Sequence, residues 1–354
     1  MRKIIQLLFT LAIFHTAFAQ WHNDYLSHHA YESKALKKEP REKWIFNAEG
    51  RVFGPALKEG NSLFFGDTKG FLYSIDSENG QLNWKFKAEA KVLSCPTINS
   101  RYAYFGSYDG YLYCLDIGDG ELVWKFKTGS GASCSPPLVK DNKVFFGSHD
   151  GYYYVVNKMT GGQLLKKEIG EGTCSTTSYD SGLLYLGDWG GNVHCLHADD
   201  LKSEWSFKTD YKIYQTPTLV EKQVIMASFD SIVYSLDKKT GALKWKKKLN
   251  SVANQVGFKN NVTFFNTRDS DLYALDKENG KLLWRFETDG STWGFAINAE
   301  DTIYFGSGDN KLYAIDLYTG KKIWEYEVGD AVQRGSIYDR ILYFPSGNKL
   351  YALH

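Results

Sequence analysis

The stretch "LYAIDLYTGKKIW" at residues 312–324 is nearly rewritten as "LYALDKENGKLLW" at 272–284, with Leu, Tyr, Asp, Gly and Trp in one register. A period of this kind constrains a fold more than any bulk property, because each copy must be one structural unit that packs on the next. Further copies, "LYSIDSENGQLNW", "LYCLDIGDGELVW" and "VYSLDKKTGALKW", keep the tyrosine, aspartate and glycine in place. Aligned on the last aromatic, the register falls at Trp44, Trp84, Trp124, Leu165, Trp205, Trp245, Trp284 and Trp324, with gaps of 39 to 41 residues.

Each copy carries four short strand signals. In 91–127 they are "KVLSCPTI" for strand A, "YAYFGS" for B, "YLYCLD" for C and "ELVWKF" for D, separated by turn residues such as "YDG" and "IGDG". Helical repeats of similar length are excluded, since the segments are aromatic and β-branched and are broken every few residues by Gly, Asn or Asp. The 16% aromatic content and 33 Gly against 7 Pro fit many short strands and tight turns. The expected fold is all-β, an eight-bladed β-propeller of four-stranded antiparallel blades.

The two ends of the chain complement each other. "ILYFPSGNKLYALH" supplies strands B and C with no D, whereas "EKWIFNAEG" near the start is a D strand with nothing before it. Pairing them closes the eighth blade and removes two open sheet edges.

Within that ring the tryptophans Trp44, Trp84, Trp124, Trp205, Trp245, Trp284 and Trp324 are expected to dock each blade on its neighbour, the indole filling the gap and its N–H finding a backbone partner. Asp76, Asp116, Asp237, Asp276 and Asp316 each precede a glycine by four residues, the pattern of a turn whose carboxylate takes backbone N–H groups. They read as structural, not catalytic. The third blade has Leu165 and Asn157, and the fourth His197 and Leu201, where the rule has Trp, Asp, Asp and Gly. The ring is expected to be loosest there, through drift or because a partner binds.

Residues 1–19 carry Arg2 and Lys3, an apolar run and "AFA" before Gln20, the order of a cleavable secretory signal. The run is shorter than the ~20 residues a membrane span needs. No cysteine follows it, so neither a membrane span nor a lipid anchor is expected. The chain from Gln20 has 40 basic and 41 acidic residues, a formal charge of −1, and no basic stripe that would attract nucleic acid. Residues 20–42 read as a flexible leader whose His22, Asp24, His28 and His29 could alternatively bind a metal or a partner, and 43–354 as a single propeller. Cys95, Cys114, Cys134, Cys174 and Cys195 are an odd number without CxxC spacing, so at least one thiol should be free. Cys114 and Cys195 fall in the strand C slot held elsewhere by alanine and should be buried.

The phrase x-D-x-x-x-G-x-x-x-W at this period resembles the tryptophan-docking repeat of the pyrroloquinoline quinone (PQQ) propeller superfamily, which includes quinoprotein alcohol dehydrogenases and BamB-type scaffolds of outer-membrane protein assembly. The resemblance covers residues 43–354. It implies that ligands sit over the central axis, at the loops leading into strand A. Ten residues after each docking position stand Gly54, Ser94, Cys134, Ser175, Gln215, Gln255, Gly294 and Arg334, a small or polar ring. Solvated lining is one reading of it. The other is a ligand or partner site formed by Tyr214, Gln215, Asn254, Gln255, Trp293, Gln333 and Arg334, which would present one cation, amides and aromatic faces.

The vicinal cysteine pair of the dehydrogenases is absent, and so are long insertions carrying calcium carboxylates. No catalytic residue or metal site is therefore assigned, and PQQ with calcium is only an alternative. The expected function is a non-catalytic, periplasmic or secreted scaffold that binds proteins of the cell envelope. The alternatives are a PQQ-dependent oxidoreductase and an extracellular carbohydrate- or peptide-binding propeller.

Overall fold

A computed structural model describes residues 30–31, 33–131, 135–292 and 294–354. The expected signal, its junction at Gln20 and the leader's His22, Asp24, His28 and His29 lie outside these residues. The described chain forms eight sheets, each with four antiparallel strands in A-B-C-D order, and one of them carries a fifth strand at its edge. The second blade, Thr97–Asn99, Tyr102–Gly106, Tyr111–Asp116 and Leu122–Lys127, is representative. Strands B and C are buried on both faces between neighbouring blades, which is why they are written as unbroken apolar runs. Strand A is only three residues long, so "KVLSCPTI" is mostly not strand; its first six residues run as a loop toward the axis. Cys114 and Cys195 are fully buried free thiols, and Cys95 is also free.

The docking geometry is the same from blade to blade. Each indole N–H donates to a carbonyl of the next blade at 2.7–3.2 Å: Trp44 to Ser77, Trp84 to Ile117, Trp124 to Lys158, Trp205 to Lys238, Trp245 to Lys277, Trp284 to Leu317 and Trp324 to Leu36. A β-bulge just before each docking residue shifts the alternation of strand D and turns that residue toward its neighbour. The turn glycine of the next blade lies under the ring. At Gly120, which has φ +77°, a Cβ would come within 2.6 Å of Trp84. Glycine is thus required there both by backbone conformation and by contact.

Two of the four departures in blades three and four fall together. Leu201 stands where the glycine would be and Leu165 where its tryptophan would be, and the two belong to one apolar cluster. The Ala198 carbonyl, which no indole reaches, accepts from Lys143 Nζ at 3.3 Å. His197 in turn meets Glu204 at 2.8 Å.

The ring closes as the chain ends foretell. Glu42–Asn47 pairs antiparallel with Lys349–Leu353 as the D strand of blade eight. Arg41 and His354 exchange backbone hydrogen bonds of 2.9 Å in both directions. Part of the stretch read as leader is built into this seam. Ala30–Tyr31 pairs parallel with Asn298–Ala299 on strand A of blade seven, and Leu36 accepts from Trp324 at 2.7 Å. Residues 33–41 therefore supply the C-to-D turn of blade eight from the opposite end of the sequence. Among the described residues no helix is long and apolar enough to cross a membrane.

Candidate functional site

The loops leading into strand A converge on the axis around a cavity of about 540 Å³, within the range of small-molecule sites. Of the residues expected there, Tyr214, Gln215, Asn254, Gln255, Gln333 and Arg334 all line this one cavity, with Gly54, Ser94 and Gly294 of the small ring. Trp293 and Cys134 lie outside the described residues. Ser175 turns away and donates to the Gln215 carbonyl at 3.0 Å.

Two of the amides hold the rim together. Gln255 accepts from the Thr216 amide at 3.0 Å and donates to the Thr216 carbonyl at 2.9 Å. Asn254 donates to the Thr292 carbonyl at 2.9 Å. A belt of strand A hydroxyls adds to this, each reaching the next blade's lead-in at 2.6 Å: Thr97 to Pro137, Ser178 to Pro217, Thr218 to Val256 and Ser336 to Ala56. The inner ring is laced blade to blade by side chains, as the outer ring is by indoles.

Arg334 is different. Its side chain is 9% exposed, its Nε and Nη2 have no partner, and no carboxylate among the described residues pairs with it. Phe295 lies 5.2 Å beneath the guanidinium. Burial pushes its pKa down, and the groups that act against this are Tyr31, Cys95 and Tyr338. The Cys95 thiol is raised to about 11 by its own burial, although Arg334 pulls the other way.

A set of residues above this ring is not marked by the repeated phrase. The B-to-C turn of seven blades places one residue at the same point, held by its amide on the adjoining lead-in loop; five of these are Tyr108 on Lys91, His149 on Gly131, Trp189 on Gly172, Phe229 on Lys212 and Arg268 on Val252. The backbone is constant, but the side chains form a continuous arc across five successive blades. Tyr108 meets His149 at 5.2 Å, His149 meets Trp189 at 4.8 Å, Tyr214 bridges Trp189 and Phe229 at 5.5 and 4.6 Å, and Arg268 sits 4.5 Å over Phe229. Burial lowers the pKa of His149, and its Nε2 lies 3.1 Å from Sγ of Cys174. Cys174 is disulfide-bonded. The corresponding positions Thr68 and Gly308 carry no ring. The signal in the sequence was the series Tyr, His, Trp, Phe, Arg at a forty-residue spacing, hidden because its side chain changes in every copy.

The fold and site define a closed eight-bladed propeller with a cationic, aromatic funnel on its axis. A family model described as outer membrane protein assembly factor BamB matches residues 33–177, 156–263 and 233–342. The chain belongs to that PQQ-repeat family. No curated protein matches it. Among solved structures, BamB from Moraxella catarrhalis is similar with a TM-score of 0.78 and 17% identity, over 89% of this chain and 100% of that one. A quinohemoprotein alcohol dehydrogenase from Pseudomonas putida gives 0.82 and 14%, over 94% and 78%. A europium-containing methanol dehydrogenase gives 0.81 and 14%, over 93% and 96%. At these identities the likeness is one of fold.

The dehydrogenase neighbours raise a quinone cofactor with a metal as a question for this cavity. Its described lining contains two arginines and no Asp or Glu. No group of three His, Cys, Asp or Glu among the described residues could hold a metal ion. The described lining thus offers no carboxylate, either to balance the charge of calcium or to act as a base, and it does not fit a calcium-bound quinone.

Proposed function

We propose that this protein is a non-catalytic binding ring of the cell envelope that recruits protein partners, in the manner of a BamB-type scaffold of outer-membrane protein assembly. The observation that carries the reading is the family match, which runs through residues 33–342 and so takes in nearly every blade. Export to the periplasm goes with this reading, and the disulfide at Cys174 suits an oxidising compartment. A ring whose blades are locked inside and outside presents its loops rigidly, which lowers the ordering cost of binding a partner.

The test is purification of the tagged chain from its native envelope with mass spectrometry of what stays bound. Enrichment of outer-membrane β-barrel assembly components is expected. Dehydrogenase turnover by the protein supplied with PQQ, calcium and an alcohol, lost in Arg334→Ala, would replace the scaffold by an enzyme.

A further inference from the structure

We propose that the axial funnel binds a small aromatic carboxylate, its acid group on Arg334 and its ring against the aromatic arc. Leaving an ionised side chain in a dry site without a counter-charge costs several kcal/mol, so such groups are normally paired. Arg334 is nine-tenths buried, faces the cavity and has two unpartnered nitrogens. The groups that act on it electrostatically are Tyr31, Cys95 and Tyr338, none of them a carboxylate. Ser94 Oγ, also buried at the cavity wall, has no partner either. The described lining contains no acid that could serve as the missing counter-ion. No described residue pairs with Arg334, which leaves its fork open to a partner from outside, and a planar carboxylate matches the fork of a guanidinium.

The rest of the cavity selects the body of that anion. Tyr108, Tyr214, Phe229 and Phe295 give it aromatic walls, and Arg268 stacks on Phe229 beside them. The indole N–H of Trp189 in the arc is buried and unpartnered, a further donor beside the rings. A flat ring buries its faces on such walls, whereas acetate or chloride would leave them uncovered. The same chemistry is available from a free aromatic acid or from the terminal residue of a peptide ending in phenylalanine. The inference stands apart from the scaffold reading, since it concerns what fills the axis and not which protein the loops recruit.

The test is titration of the full chain with indole-3-acetate, its uncharged amide, and acetate, followed calorimetrically. Indole-3-acetate should bind, with the amide and acetate each weaker by roughly tenfold or more. Arg334→Gln should abolish the preference for acid over amide. Arg334→Met should raise Tm, because it removes an uncompensated buried charge, and this separates a binding role from a structural one. Equal binding of acid and amide, acetate binding as tightly as indole-3-acetate, no binding of any probe, or a lower Tm in Arg334→Met would overturn the proposal. A pentapeptide ending in free phenylalanine, run beside its C-terminal amide, tells the sources apart: tighter binding than indole-3-acetate assigns a chain terminus, weaker binding a free acid.

Discussion

The outer docking positions and the inner arc are built by the same repeats and treat their side chains in opposite ways. At the docking position seven of eight blades keep tryptophan, and each described indole reaches the same carbonyl one blade on. At the arc position the backbone bond repeats from blade to blade while the side chain runs through Tyr, His, Trp, Phe and Arg. The first pattern is what packing demands, since every interface between blades has the same shape. The second leaves the scaffold intact and varies only what faces the funnel. In a ring of near-identical units, invariant side chains mark the packing, and varied ones on an invariant backbone are those that the packing leaves free.

The largest effect that bears on this contrast is loss of closure. A chain beginning at residue 51 lacks the outer strand of blade eight and the Leu36 carbonyl, exposing two sheet edges. It should lose its cooperative thermal transition. Melting at the temperature of the longer chain would show that the ring does not need its N-terminal strand.

Next comes a docking residue. Trp245→Ala removes a ring that is 9% exposed and its bond to Lys277, and should cost about 3–5 kcal/mol in chemical denaturation. The Leu165–Leu201 pair sharpens the rule. Leu165→Trp alone should destabilise by about 1–3 kcal/mol, because the indole meets Leu201 where other blades have glycine. Adding Leu201→Gly should recover most of that loss, and a double-mutant cycle would measure the coupling. Additive losses would mean that the two departures are independent.

A smaller effect is set by pH. Asp188 is fully buried; burial raises its pKa, but bonds from His194 and Asn192 outweigh this and hold it below the ordinary value. A depressed carboxylate pKa adds stability that is complete above the unfolded value of about 3.9 and is lost as pH falls through the folded one. The stability difference between the wild type and Asp188→Asn should therefore shrink as pH drops below about 4. A constant difference would place the acid sensitivity elsewhere.

The ring, its closure and its docking tryptophans were legible because each is written several times. Gln215, Gln255 and Arg334 stand at one common distance from the docking position, Tyr214, Asn254 and Gln333 are the residues before them, and all six line the cavity. What was not legible came from contacts that no period marks. Gln255 and Asn254 read as amides offered to a ligand, yet their partners are backbone groups of adjacent blades, which only coordinates reveal. The arc escaped because its side chains do not repeat. Leu165 and Leu201 showed as two separate departures, since nothing in the sequence says that they touch. That no acid among the described lining residues reaches Arg334 follows from how all the blades converge, which no single repeat records.

The most direct test of the division between scaffold and recognition melts Trp245→Ala and Tyr214→Ala side by side while titrating each with indole-3-acetate. Trp245→Ala should lose most in Tm and keep its affinity below that temperature, whereas Tyr214→Ala should lose affinity with only a small change in Tm. If Tyr214→Ala melted as low as Trp245→Ala while binding the probe as the wild type does, the arc would be one more structural layer and the division would be wrong.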